Sequence, residues 1–312
     1  MTGPEQYLRP EVARRVRRLD LKARFIVEGF LAGLHQSPYR GLSLEFAEHR
    51  RYASGDDPKT LDWAAWAKTD RLYVRTFQAE TNLSAYLVLD RSRSMAYGGE
   101  PRGGPDGRLT KLDYARSLAA ALGYLLIHQH DAVGLALLGS DLERFLPARP
   151  GRRHLARVLA DLERAEGRGK TALAPALHAL ARRVKRRSLI VLLSDLVDEP
   201  QAVLGAMRHL AFRGHGLVVF QVLDPVERRL PICGPVLLED PETGARLATD
   251  ADHIRAAYTG RLEALIEQYR RGVAEAGGDF AALTTSTPFD RALMEFLRRR
   301  ARPRMALAAA GQ

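Results

Sequence analysis

Asp90, Ser92 and Ser94 stand at alternate positions directly after the apolar run Leu87-Val88-Leu89. One carboxylate and two hydroxyls at this spacing can point into a single pocket where a strand stops. Oxygen-only donors of limited charge suit a hard divalent cation such as Mg²⁺, with Mn²⁺ or Ca²⁺ as alternatives. Short Asp/Ser strings recur by chance in loops, so the weight of this one comes from two distant partners. Asp195 follows the apolar run Leu189–Leu193 after the single residue Ser194. Thr171 closes the stretch Gly167-Arg168-Gly169-Lys170-Thr171, just ahead of an expected helix. Each residue alone has an ordinary reading. Asp90 and Asp195 could terminate strands, Thr171 could cap its helix, and the serines could be turn residues. Asp90, Ser92, Ser94, Thr171 and Asp195 together, at two strand ends and a helix start, favour a metal site.

The elements that must position them read as an alternating series. Ala85–Leu89, Ala132–Leu138, Leu189–Leu193, Leu217–Leu223 and Phe280–Thr284 are apolar enough for buried strands. Lys111–Gln129, Arg152–Ala165, Ala172–Val184, Pro200–Phe212, Ile254–Ala276 and Pro288–Arg299 carry helical periodicity. Leu142–Leu146 is expected to form a hairpin with Ala132–Leu138. Repeated strand–helix alternation predicts an α/β fold with a doubly wound, mostly parallel sheet covered on both faces. In such sheets ligands sit outside the carboxyl ends of the strands near the switch point. Asp90, Thr171 and Asp195 all fall on that edge.

The domain reading is residues 1–82 as an N-terminal helix and strand appendage, 83–300 as the sheet domain, and 301–312 as a tail. In the appendage, Pro10–Leu34 reads as a helix, Leu42–Phe46 and Leu72–Phe77 as strands, and Thr60–Lys68 as a short helix. Trp63 and Trp66 on that helix are read as packing residues, with a partner surface as the alternative. Two segments interrupt the alternation. Tyr97–Thr110 is rich in glycine, and the stretch at 226–249 is read as a small hairpin.

Composition bounds the function. The chain has 312 residues, 46% hydrophobic, with no apolar run of membrane-spanning length and no secretion signal in its Arg-rich start. Cys233 is the single cysteine, which excludes a disulfide framework and fits a reducing cytoplasm. The net charge is +11. The basic residues form several dispersed clusters, including Arg182-Arg183-Val184-Lys185-Arg186-Arg187 and Arg298-Arg299-Arg300-Ala301-Arg302. They read as solvated helix ends, and a nucleic-acid-associated protein is the alternative.

Gly169-Lys170-Thr171 looks like the end of a phosphate-binding loop. The first glycine of that motif would fall on Arg164, and a helix is expected where the motif needs a strand. A nucleotide hydrolase is therefore the weakest alternative. Neither a nucleophile elbow nor zinc-ligand spacing is found, so an enzyme is not expected.

Asp90-x-Ser92-x-Ser94 with Thr171 and Asp195 resembles the metal-ion-dependent adhesion site of von Willebrand factor type A domains, over about residues 83 to 300. Upstream, the stretch Glu45 to Trp63 (EFAEHRRYASGDDPKTLDW) resembles the signature of the bacterial domain-of-unknown-function 58 family. The first resemblance implies that Ser92 and Ser94 bind Mg²⁺ through their hydroxyls. Asp90 would bind directly or through water, Thr171 when a partner is engaged, and Asp195 mostly through water. A protein partner would donate the missing Asp or Glu ligand. The second implies association with MoxR-type AAA+ ATPases in protein assembly or maturation. Family members are often membrane-anchored by N-terminal spans, which this chain lacks, and their loop after the serines is usually shorter than Tyr97–Thr110. The resulting expectation is a non-enzymatic, cytoplasmic, Mg²⁺-dependent protein–protein interaction module.

Overall fold

The valine- and leucine-rich runs become the strands of one six-stranded sheet. The computed structural model describes residues 9–13, 16, 18–36, 49–51, 66, 72–75, 83–98 and 109–301. In chain order the described elements are α1 (Pro10–Ala13), α2 (Leu19–Gln36), β1 (His49–Arg51), β2 (Tyr73–Arg75), β3 (Ser84–Asp90), α3 (Lys111–His128), β4 (Ala132–Leu138) and β5 (Leu142–Arg149). There follow α4 (Arg152–Glu163), α5 (Leu173–Arg183), β6 (Leu189–Ser194), α6 (Pro200–Phe212), β7 (Gly216–Leu223), α7 (Pro225–Arg229), β8 (Pro235–Glu239), β9 (Arg246–Asp250), α8 (Ala251–Glu275), β10 (Asp279–Thr284) and α9 (Phe289–Ala301).

The sheet runs β10-β7-β6-β3-β4-β5. All neighbours are parallel except β5, which returns antiparallel along β4 as the expected hairpin. From β3 the chain first builds outward through β4 and β5. It then crosses back to lay β6 on the other side of β3, followed by β7 and β10. The switch point therefore lies between β3 and β6, the strands that end at Asp90 and Ser194.

Helices cover both faces, as a doubly wound sheet requires. On one face α5, α6 and α8 pack Leu177, Leu180, Met207, Leu210, Ile266 and Tyr269 against Val88, Ile190, Leu192 and Val219. On the other, α3 is apolar over most of its surface and buries Leu118, Leu122, Leu125 and Leu126. Gly123 lets α3 approach closely: a Cβ there would lie 3.2 Å from side-chain carbons of both Leu87 and Leu155.

The domain boundary differs from the expected cut at residue 82. Residues Met1–Ser37 group with Leu83–Gln312 in one compact unit, and Pro38–Asn82 form a second. The reason is α2. Leu19, Ala23, Ile26, Val27 and Phe30 recur at helical spacing and are all buried, and this stripe packs against α3 and also touches α4 and α9. The single helix expected over Pro10–Leu34 is divided into α1 and α2. At the start of α2 the Leu19 N–H donates to Glu163 (3.4 Å), and Asp20 in the first turn suits the helix dipole.

In the second unit β1 and β2 pair antiparallel. Trp66 is helical and 44% exposed. The expected strand at 42–46, most of the Glu45–Trp63 signature, Trp63, the glycine-rich residues 99–108 and the tail from 302 lie outside the described residues.

Candidate functional site

Two neighbouring parallel strands deliver the first two acids to one point. Leu89 on β3 lies beside Leu193 on β6, so Asp90 and Ser194 emerge side by side. The Ser194 hydroxyl donates to Asp90 Oδ2 at 2.6 Å. The Leu196 N–H in turn donates to Ser194 Oγ at 2.9 Å, which fixes the hydroxyl's direction. Beyond Asp90 the chain turns into a single 3₁₀ turn, Arg93–Ala96. The Ser92 N–H donates to Asp90 Oδ1 at 2.9 Å. This leaves the Ser92 and Ser94 hydroxyl oxygens 3.0 Å apart, both buried.

The Thr171 loop is tied to the first loop through the backbone. The Arg93 N–H donates to the Gly169 carbonyl (3.1 Å) and the Arg168 N–H to the Arg91 carbonyl (2.9 Å). Gly167 packs against Ala96, and a Cβ at Gly167 would sit 2.7 Å from the Ala96 Cβ. Thr171 is not the cap of α5; the cap position is Ala172, and Asp198 accepts from the Leu173 N–H at 2.8 Å. Thr171 instead binds an acid from the hairpin between β8 and β9. Its N–H donates to one Glu242 carboxylate oxygen at 2.9 Å and its hydroxyl to the other at 2.5 Å.

Asp195 is fully buried and bonded to Lys111, whose Nζ donates to Asp195 Oδ2 at 2.8 Å and to Glu227 Oε1 at 2.6 Å. The Val197 N–H reaches Asp195 Oδ1 (3.3 Å), and the Gln221 amide donates to the Asp195 main-chain carbonyl (3.1 Å). The other Glu227 oxygen accepts from the Asp224 N–H (2.9 Å), closing the capping box that starts α7.

Lys111 is the first residue of α3, where a cation opposes the helix dipole. Its two carboxylates offset that cost. Burial alone would lower its pKa, but Asp195 and Glu227 outweigh burial and hold it above the ordinary lysine value. Burial also raises Glu227, with Lys111 opposing the shift. Asp90 differs: burial, then the charge of Asp195, pushes its pKa up to about 7, while Ser194 and Ser92 act to lower it. Among the described residues no ammonium or guanidinium is bonded to Asp90. Its neighbour Arg91 turns away and pairs with Glu143 at 2.9 Å.

The residues suited to hold a hard cation are thus Asp90, Ser92 and Ser94. The Ser92 and Ser94 hydroxyls share a hydrogen bond at 3.0 Å, a separation that adjacent ligands around an octahedral Mg²⁺ at about 2.1 Å also take, at about 3.0 Å. Asp195 and Thr171 reach the same strand edge, but Asp195 holds an ammonium and Thr171 a carboxylate, whereas Asp90 is bonded only to neutral donors. Lys111, Ser194, Glu227 and Glu242 were missed from the sequence. Lysine at a helix N-terminus was a readable sign for Lys111; the other three depend on long-range placement.

The helix expected before Gly167 is α4, so the strand–loop–helix order that a phosphate loop needs is not found there. The basic run from Arg182 closes α5 and precedes β6, which puts it at the opposite end of the sheet from Asp90. Among the described residues no helix is long and apolar enough to cross a membrane.

The family described as protein of unknown function DUF58 matches residues 48–265. The chain belongs to the DUF58 family. An uncharacterized relative in this comparison, Rv1480 of Mycobacterium tuberculosis strain H37Rv, is 32% identical over 238 residues, covering 75% of this chain and 72% of its own. Among solved structures, the DUF58 chain is similar to the conserved hypothetical protein BatB of Bacteroides thetaiotaomicron. That match has a TM-score of 0.48 at 17% identity, covering 70% of this chain and 98% of BatB. It is also similar to the VWA domain of SpRpn10, with a TM-score of 0.40 at 11% identity over 68% of this chain and 93% of that one. Membership of the DUF58 family stands on the sequence matches.

Proposed function

We propose that this DUF58 protein is a non-enzymatic interaction module that binds an acidic group of a protein partner through a divalent cation, foremost Mg²⁺. Asp90, Ser92 and Ser94 hold the ion. Thr171 and Asp195 complete its surroundings, Asp195 through water because its carboxylate already holds Lys111. The ion supplies a vacant coordination position for a partner's Asp or Glu oxygen. Mg²⁺ retains waters readily, so exchanging one for a carboxylate is chemically natural.

The observation that carries this reading is the set of buried oxygens at the switch point, with the Ser92 and Ser94 hydroxyls 3.0 Å apart beside Asp90. The rest of the proposal follows the family resemblance: the partner is a MoxR-type AAA+ ATPase or its client, and the site of action is the cytoplasm. Calorimetric titration of the full chain with Mg²⁺ and Mn²⁺ tests the metal step. Saturable heat in wild type, lost in Asp90→Ala, supports the reading; flat traces for both ions sink it. Capture of the ATPase that is released by EDTA tests the partner.

A further inference from the structure

We propose that Glu242 is an internal occupant of the acid-binding position, so that the β8–β9 hairpin latches the site shut until an outside carboxylate displaces it. This rests on the metal-site reading above and adds its regulation. The site waits for a carboxylate, and the chain brings one of its own to the threonine of that site. Both Glu242 oxygens are engaged by Thr171, one by its amide at 2.9 Å and one by its hydroxyl at 2.5 Å. Two parallel bonds to one carboxylate fix its direction as well as its distance.

The turn that carries Glu242 is built to present it. Asp240 accepts from the Glu242 N–H (2.8 Å) and the Thr243 hydroxyl (2.5 Å). Gly244 takes a positive φ of 73° and its N–H returns to the Asp240 carbonyl at 2.8 Å. The Thr243 hydroxyl and the Glu242 N–H hold the Asp240 carboxyl below its usual range, and the charge of Lys170, the neighbour of Thr171, acts in the same direction. The turn therefore meets the Thr171 loop through Glu242.

The rest of the hairpin is lightly held, as a displaceable element must be. No residue of β8 or β9 is buried, and Leu237 and Leu247 are 60% and 59% exposed. Low burial puts such a segment at the low-stability end of a structure. The latch can open without disturbing the sheet.

The test compares wild type with Glu242→Ala and Glu242→Asp in the full chain. Alanine removes the carboxylate that both Thr171 donors hold, and aspartate keeps the charge but shortens the reach by one methylene, so both variants release the latch. The probe is an acetylated tetraglutamate peptide in saturating Mg²⁺, with hydrogen exchange read at the Thr171 amide. The expected result is at least tenfold tighter peptide binding and at least tenfold faster exchange at Thr171 in both variants. Equal peptide affinity in all three proteins, with Mg²⁺ still bound, overturns the latch and leaves the metal site standing. Weaker Mg²⁺ binding in the variants also overturns it, because Glu242 would then be a permanent ligand. Absence of Mg²⁺ binding in every protein removes both the latch and the reading beneath it. A spectrum of unchanged circular dichroism confirms that the variants fold.

Discussion

The two halves of the site differ in what already satisfies them. In the Asp90 half, a carboxylate and two serine hydroxyls face one another with only neutral donors bonded to the acid. In the Thr171 and Asp195 half, each site residue is engaged from elsewhere in the chain: the Lys111 ammonium on Asp195, and the Glu242 carboxylate on Thr171. The first half is local in sequence and set by a strand end. The second is assembled from α3, α7 and the β8–β9 hairpin. A single sheet edge can thus combine a loop bonded only to neutral donors with a wall whose acid Asp195 already holds an ammonium. A buried carboxylate needs either a cation or a proton; Asp195 has an ammonium, whereas Asp90 is left with a raised pKa.

The contrast breaks most visibly at Lys111. Its side chain is 1% exposed and serves two acids. Lys111→Met strands Asp195 and Glu227, and the expected loss is about 3–5 kcal/mol of unfolding free energy, as for breaking a buried ion pair. Urea denaturation measures it. If a divalent ion can take over the neutralisation, Mg²⁺ will raise the midpoint more in this variant than in wild type. An unchanged midpoint would mean that the wall is not held by charge.

Asp90→Ala addresses the receptive half. Mg²⁺ affinity is expected to fall about 100-fold or more, roughly 2.7 kcal/mol, by calorimetry. Asp195→Asn, at a carboxylate that already holds Lys111, should cost less if the proposed water-mediated role is right. Equal losses in the two variants would erase the distinction between the halves.

Gly167→Ala probes the seam between them. The added methyl meets the Ala96 Cβ at 2.7 Å, and the expected cost is about 1–3 kcal/mol, as for overpacking elsewhere. Thermal unfolding and a parallel drop in metal affinity would show that the two loops are locked together. The smallest effect on Mg²⁺ affinity is expected at Ser194→Ala, which removes a donor from Asp90 and an acceptor from the Leu196 N–H and costs about 1–3 kcal/mol of unfolding free energy. A loss of Mg²⁺ affinity there as large as in Asp90→Ala would make Ser194 a ligand in its own right.

Much of the scaffold was legible in the sequence. The run Leu189–Leu193 is uninterruptedly apolar because β6 is buried on both faces between β3 and β7. The alternation of strands and helices gave the sheet, and the 200–212 helix and the 132–138 strand agree with their expected limits. The first loop of the site was readable because its three donors are neighbours in the chain. What sequence spacing does not carry is which distant side chain arrives from the side. Glu242 lies 71 residues from Thr171, and Lys111 lies 84 from Asp195. Helix α2 was misplaced for a related reason: its apolar stripe was visible, but its partner α3 lies beyond the intervening second unit.

The chain leaves the strand edge that carries Asp90 at Tyr97 and Gly98 and comes back to it at Thr110 and Lys111. The Lys111 N–H donates to the Tyr97 carbonyl at 2.9 Å, and a Cβ on Gly98 would touch the Thr110 Cα at 2.6 Å. Departure and return are thus clasped together before the sheet is reached. Doubling the length of chain between such clasped ends adds only about 0.6 kcal/mol of closure entropy. That junction is therefore a natural grafting point. A reporter peptide or fluorophore spliced between Gly98 and Thr110 would join the chain close to Ser92 and Ser94 and leave the strands that hold the site untouched.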